Sequence, residues 1–218
     1  MIGLIVALKK EAEYVENCFT EVNRLTINGK TAVKGKLFGK DCVLMYSGIG
    51  KVNAAMTAQT LISVFSPEYI LNFGTAGGAD NSVVPLSYYA IDGCVQYDFD
   101  ITELDDVEIG YIQDYDRWVF PTALCGLEFL PHVRLATADR FSNKDSDIKT
   151  VRKAGCALRD MEGGAIAETC LANGVKLFMI KGVTDTFDRP AQDFYVNLTT
   201  VCKGFKDIIE KALTEIKS

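Results

Sequence analysis

Three carboxylates stand where predicted buried strands give way to loops or helices. Glu11 closely follows the apolar run Ile2–Leu8, Glu162 precedes a helical pattern, and Asp185 closely follows the apolar run Leu177–Val183. Carboxylates in such positions can donate or accept a proton while a bond breaks. Each acid alone also fits a structural role, as a helix cap or a turn residue. A chemical role therefore depends on whether the three side chains meet.

Two glycine-rich turns also follow predicted strands, at Ser47–Ala55 and Asn72–Gly78. Open α/β sheets bind ligands at the carboxyl ends of their strands, where such turns lie. Neither turn has the spacing of a common phosphate-binding fingerprint. Met45 stands where a P-loop would need glycine before Gly50, and the second turn lacks the G-x-G-x-x-G spacing. A P-loop ATPase and a Rossmann dehydrogenase are thus disfavoured, although glycine turns alone are often only tight connections.

Composition narrows the class of protein. The 218 residues are 48% apolar, enough for one core and one domain over 1–218, and the net charge of −6 disfavours a nucleic-acid partner. The apolar start of the chain is too short for a membrane span and lacks an export signal, so a cytoplasmic protein is predicted. Seven scattered cysteines and a single histidine, His132, favour neither a metal site nor a histidine triad. We therefore expect no metal and no cofactor.

The hydrophobic patterns predict alternating strands and helices, which indicates an α/β sandwich with a doubly covered central sheet. The segment Asp98–Leu127, in which acids alternate with aromatics, is predicted to be a surface excursion. The predicted strands are Ile2–Leu8, Cys42–Tyr46, Tyr69–Phe73, Tyr88–Val95, Val133–Thr137 and Leu177–Val183. The predicted helices are Glu11–Phe19, Val52–Phe65, Ser146–Lys153, Glu162–Asn173 and about Phe194–Lys217.

Five motifs together carry a family resemblance. The segment Ile2–Glu13, both glycine turns, Asp160–Glu162 and Val183–Asp185 occur in the order found in the nucleoside phosphorylase superfamily. Within it the chain most resembles the 5′-methylthioadenosine/S-adenosylhomocysteine nucleosidases. The resemblance implies a three-layer α/β/α sandwich with a central mixed, partly barrel-like sheet.

The resemblance also implies a role for each motif residue. Glu11 would activate water, Met161 and Glu162 would hold the ribose, and Asp185 would protonate the purine. A small-molecule nucleoside would be the substrate. A homodimer would form in which Tyr97–Thr102 completes the partner's site. The remaining substrate-binding residues implied by the resemblance are Leu8, Ser47, Ile49, Thr75, Ala76, Gly77, Phe141, Ser142, Asp160 and Phe194.

The choice between water and phosphate as the nucleophile depends on whether the sequence supplies a cation to bind phosphate. A buried phosphate needs fixed cations, and phosphorylases of the family usually carry an arginine where this chain has Asn72-Phe73. The sequence therefore favours hydrolysis to free adenine and a ribose derivative. A phosphate-dependent phosphorylase and a nucleoside-binding protein without activity remain the alternatives. The chain departs from the nucleosidase pattern at five positions: Lys9, Lys10, Ser142, Asp160 and Lys181. The family usually has glutamate in place of Asp160 and arginine in place of Lys181.

Overall fold

The structure, a computed structural model, describes residues 1–141, 144–187 and 190–217. Strands and helices alternate through much of it, as the hydrophobic patterns predict. The strands are β1 (Ile2–Val6), β2 (Phe19–Ile27), β3 (Lys30–Leu37), β4 (Lys40–Tyr46), β5 (Tyr69–Gly78), β6 (Tyr88–Gln96), β7 (Phe120–Pro121), β8 (His132–Thr137), β9 (Leu158–Asp160) and β10 (Lys176–Thr186). The helices are α1 (Lys9–Glu16), α2 (Lys51–Phe65), α3 (Asp145–Lys153), α4 (Gly163–Ala172) and α5 (Pro190–Glu215).

Five strands of the sheet close into a barrel. Strand β10 pairs in parallel with β5 and antiparallel with β6, β6 and β8 are parallel, and β9 is parallel to β8. The circle closes where β9 pairs antiparallel with the last residues of β5, Gly77 and Gly78. The expected mixed, partly barrel-like sheet is confirmed.

Strands β1, β4, β3 and β2 extend the sheet outward from β5, and the short β7 pairs antiparallel with β6. Strand β1 lies parallel to both β5 and β4, and β3 and β2 follow as antiparallel strands. The prediction of a helix as far as Phe19 was wrong, because α1 ends at Glu16 and Phe19 begins β2. Most side chains of β2 are exposed, so the strand lacks the apolar run that reveals a buried one. Asn28-Gly29, both with positive φ, form the turn between β2 and β3.

Helices cover both faces of the sheet. Helix α5 packs on β10 and β5 through an apolar face that includes Val201, Phe205 and Ile209, as its helical spacing predicts. On the other face α2 and α4 pack together over a second apolar cluster. None of the helices in the described ranges is long and apolar enough to cross a membrane.

The structure also describes the predicted surface excursion and the end of α4. The excursion 98–127 contains little regular structure: a 3-10 turn at Gln113–Tyr115, an isolated bridge between Ile112 and Arg117, and the short β7. Asn173 is the C-terminal cap of α4, and Gly174 follows with φ +65°, the expected glycine end of a helix.

Candidate active site

A cavity of about 240 Å³ opens at the carboxyl ends of β1, β5 and β10. These strands are mutually parallel, so the residues that follow them meet at one edge of the sheet. Most residues singled out from the sequence line it: Leu8, Glu11, Ile49, Thr75, Ala76, Gly77, Phe141, Asp160, Met161, Glu162, Asp185 and Phe194. The cavity also has lining residues that the sequence did not indicate individually: Ala7, Arg140, Arg159 and Thr184, together with Tyr97.

Glu11 lies in the first turn of α1, and its carboxylate is fixed by three donors. Oε2 accepts a hydrogen bond from the backbone N–H of Leu8 at 3.0 Å, which caps the helix. Oε1 accepts one from the Thr75 N–H at 2.8 Å and one from the Thr75 hydroxyl at 2.7 Å. Gly74 leaves room for this contact, since a side chain there would press on Oε1. A buried carboxylate thus faces the cavity in one defined orientation.

Glu162 is the last residue of the motif Asp160–Glu162 and directly precedes α4. Its Oε1 accepts a hydrogen bond from the backbone N–H of Gly50 at 2.9 Å, so the first glycine turn holds this acid in place. Burial, reinforced by the charge of Asp160, raises the pKa of Glu162 to about 7, although Lys181 opposes the shift. Its charge can therefore change near neutral pH.

Asp160 lines the cavity, and its carboxylate is held by partners in the surrounding scaffold. Its Oδ2 lies 3.0 Å from Lys181 Nζ and accepts a hydrogen bond from the Gly163 N–H, while Oδ1 accepts one from the Thr137 hydroxyl. Burial disfavours a charge on Lys181, but the carboxylates of Asp160 and Glu162 outweigh this effect and raise the pKa of Lys181. The two departures from the family pattern, a shorter acid and a lysine for arginine, thus contact each other.

We expect Lys181→Met to lower the free energy of unfolding by about 3–5 kcal/mol, because it leaves the Asp160 carboxylate buried without its cation. Urea unfolding measures the loss. The double variant Asp160→Asn/Lys181→Met should recover much of it, since both charges are then absent. Lys176→Met, at the exposed start of the same strand, is the matched control. A Lys181→Met protein as stable as the control would contradict the pairing.

Asp185 reaches the cavity through an irregularity in β10. The register between β10 and β5 shifts between Val183 and Asp185, and this shift places Asp185 opposite Gly77. Its Oδ1 accepts a hydrogen bond from the Thr184 hydroxyl at 2.8 Å, and its Oδ2 lies 3.1 Å from Arg159 Nη2. A side chain at Gly77 would collide with Oδ2. Glycine is therefore needed beside this acid.

Aromatic and apolar side chains form the rest of the wall. The rings of Phe141 and Phe194 contact edge to face at 6.2 Å, and the Arg159 guanidinium carbon lies 5.4 Å from the centre of the Phe141 ring. Leu8 and Ile49 are partly exposed at the same cavity. A flat aromatic ligand with an apolar substituent fits such a wall.

Two residues of the predicted set stand apart. Ser47 does not line the cavity: it is fully buried and its hydroxyl donates to the Gly48 carbonyl at 2.7 Å, so it shapes the turn. Ser142 lies outside the described residues. Arg159 was missed, although an arginine inside the short strand Leu158–Asp160 is a signal that sequence reasoning could have used.

The cavity therefore brings together three carboxylates with different surroundings. Glu11 is held by hydrogen-bond donors, Glu162 lies among charges, and Asp185 is paired with a guanidinium. Such separated environments allow acid and base roles at one pH. No group of three histidine, cysteine or acidic side chains in the described parts of the chain could hold a metal ion.

Comparisons with known proteins show the family to which the chain belongs. Residues 1–214 match the family model of the Phosphorylase superfamily. The chain belongs to this superfamily. A 5′-methylthioadenosine/S-adenosylhomocysteine nucleosidase of Marinomonas sp. (strain MWYL1) is 31% identical, over 98% of each chain.

Solved structures support the fold. A 5′-methylthioadenosine/S-adenosylhomocysteine nucleosidase from Colwellia psychrerythraea 34H, in complex with adenine, superposes with a TM-score of 0.91 at 26% identity, over 99% of this chain and 95% of that one. A futalosine hydrolase of Helicobacter pylori strain 26695 gives a TM-score of 0.92 at 20% identity, over 99% and 97%. This second likeness concerns the fold alone. The chain therefore shares its fold with a nucleosidase of known structure.

Proposed function

We propose that the protein hydrolyses the N-glycosidic bond of a 5′-modified purine nucleoside and releases the free base and a ribose derivative. The observation that carries this proposal is the meeting of Glu11, Glu162 and Asp185 in one cavity with an aromatic wall. Superfamily membership and the nucleosidase relatives add support.

The chemistry assigns one role to each acid. Glu11, oriented by Thr75, accepts a proton from the water that attacks the sugar. Asp185 delivers a proton to the purine N7 as the base departs, and Glu162 accepts hydrogen bonds from the ribose hydroxyls. Bonds to a carboxylate strengthen as positive charge develops on the sugar. An acid and a base on opposite sides of the sugar are the arrangement that inverting glycosidases use.

The substrate's 5′-group would lie against Leu8, Ile49 and Phe194, the apolar part of the wall. An alkylthio group suits this surface because it buries apolar area without needing a hydrogen-bond partner. The first compounds to test are methylthioadenosine, adenosylhomocysteine and 5′-deoxyadenosine. The names of the nucleosidase relatives contain the first two.

The placement of the cavity's arginines favours water over phosphate. Arg140 is paired with Asp147 at 2.9 Å, and Arg159 with Asp185 at 3.1 Å. Asn72-Phe73 stands where phosphorylases of the family usually carry an arginine, and the Asn72 side chain donates to the Ile5 carbonyl within the sheet. A phosphate dianion beside the Glu11 carboxylate would meet repulsion.

A panel of 5′-modified nucleosides tests the proposal, with base release followed by chromatography in buffer with and without phosphate. We expect equal release in both buffers. Turnover that requires phosphate would show a phosphorylase, and tight nucleoside binding without base release would show a binding protein. Either result would overturn the proposal.

The raised pKa of Glu162 predicts a pH dependence. The ionised carboxylate accepts bonds from the ribose hydroxyls, so kcat/KM should rise with pH and level off above about 7. Glu162→Gln should lower kcat/KM and remove this ascending limb, because glutamine does not titrate. A pH profile of both proteins measures it. An unchanged limb in Glu162→Gln would contradict this assignment.

We also propose that two copies pair through the surface beside the cavity. Ile49, Val52 and Met56 are more than half exposed there, and Phe99 within Tyr97–Thr102 is 40% exposed. Apolar side chains clustered at a surface favour association. Tyr97 itself is buried and lines its own chain's cavity. Light scattering should give twice the chain mass, and a monomer would refute the pairing.

A further inference from the structure

Arg159 occupies a distinctive place in the cavity. It lies on β9, directly before Asp160, and its side chain is only 7% exposed. Its Nη2 lies 3.1 Å from Asp185 Oδ2 and its guanidinium carbon 5.4 Å from the centre of the Phe141 ring. The guanidinium thus stands between the acid and the aromatic ring at the end assigned to the base.

Gly77 makes this position available. A side chain on Gly77 would come within 3.0 Å of the Arg159 guanidinium and 2.9 Å of Asp185 Oδ2. The same glycine lines the cavity. The backbone of β5 therefore leaves one space for both the acid and the guanidinium at the cavity wall.

The two groups together offer a defined pattern to a purine. Atom N7 and the substituent on C6 are neighbours on one edge of the base. Because the Arg159 guanidinium lies 3.1 Å from Asp185, a base that places N7 at the acid can place its C6 substituent at the guanidinium. A guanidinium has hydrogen-bond donors only. An oxygen on C6 can accept a hydrogen bond from the guanidinium. An amino group on C6 is itself a donor and would face another donor. In base recognition generally, arginine pairs with the O6 and N7 atoms of guanine.

We propose that Arg159 is a specificity-determining residue that selects a 6-oxopurine base, hypoxanthine or guanine, over a 6-aminopurine. This inference rests on the proposed function, since it names the base that the same site would release. The base it names differs from the adenine of the nucleosides that appear in the names of the relatives. A guanidinium beside the proton-donating acid also stabilises negative charge on a departing oxopurine.

Matched nucleoside pairs test the inference on the unaltered protein. 5′-Methylthioinosine and 5′-methylthioadenosine differ at C6 and in the hydrogen on the adjacent N1, so the ratio of their kcat/KM values reports on that edge of the base. The Arg159→Met variant assigns the difference to this side chain. We expect the inosine compound to be preferred by about 10- to 100-fold, the usual discrimination of a good arginine–base contact. Equal values, or a preference for the adenosine compound, would overturn the inference and leave the hydrolase proposal standing.

The variant Arg159→Met keeps an unbranched side chain and removes the donors. It should lower the inosine-to-adenosine ratio by at least about 10-fold. Arg152→Met, on α3 and outside the cavity lining, is the matched control and should keep the ratio. If Arg159→Met slows both substrates equally, Arg159 serves only as the counter-ion of Asp185 and the inference is wrong.

Binding of free bases separates the two proposals. Calorimetry with hypoxanthine and adenine needs no catalysis, so it applies even if neither nucleoside is cleaved. Tighter binding of hypoxanthine by the unaltered protein would support the role of Arg159 even if the hydrolase proposal fails. Adenine binding as tightly as hypoxanthine, or more tightly, would refute it.

Discussion

We expect Glu11→Gln to lower kcat for base release by about 10²–10⁴-fold, the usual contribution of a general base. Glutamine keeps the shape of the side chain, and its carbonyl oxygen can still accept from Thr75, but it cannot take a proton from water. Binding of the free base should stay close to that of the unaltered protein, because Glu11 acts at the sugar. Steady-state kinetics and calorimetry on the same preparation measure the two effects.

The matched control is Glu13→Gln, which changes an exposed acid on the same helix. It lies outside the cavity lining and should retain full activity. If Glu11→Gln keeps more than about a tenth of the activity, water is activated by another group. That result would remove Glu11 from the mechanism.

The second large effect is expected for Asp185→Asn, which should lower kcat by about 10²–10⁴-fold because asparagine cannot supply a proton to N7. The exchange also weakens the pairing with Arg159, so the free energy of unfolding must be measured in parallel. Asp80→Asn, in the loop just after β5, is the matched control outside the cavity lining.

A substrate that needs no acid distinguishes proton transfer from structural damage. A nucleoside methylated at N7 already carries the positive charge that protonation would create, so its base leaves as a neutral molecule. With this substrate the rate loss in Asp185→Asn should shrink to less than about 10-fold. An equal loss with both substrates would show that Asp185 only supports the structure.

The central strands could be predicted because each contains a nearly continuous run of apolar residues. Strands β5 and β10 are buried over nearly their whole length, and their runs of apolar residues show this directly. The acids that follow them could be assigned to one edge because parallel strands end together. The order of the motifs added the family resemblance, and with it the assignment of Glu11 as the residue that activates water.

Other features depend on contacts between residues distant in sequence. The outer strands β2 and β3 are polar on their exposed faces, so no periodicity revealed them. The pairing of Asp160 with Lys181 and that of Arg159 with Asp185 arise only when β9 meets β10 across the barrel. Ser47 lies in a predicted motif, but its hydroxyl donates to the Gly48 carbonyl and the residue does not line the cavity.

The most direct test of hydrolysis identifies the sugar product. A 5′-modified purine nucleoside is incubated with the protein in phosphate buffer, and the products are resolved by mass spectrometry. If Glu11 activates water, the sugar appears as the free reducing ribose derivative in amounts equal to the released base. A sugar 1-phosphate in place of that product would contradict the account.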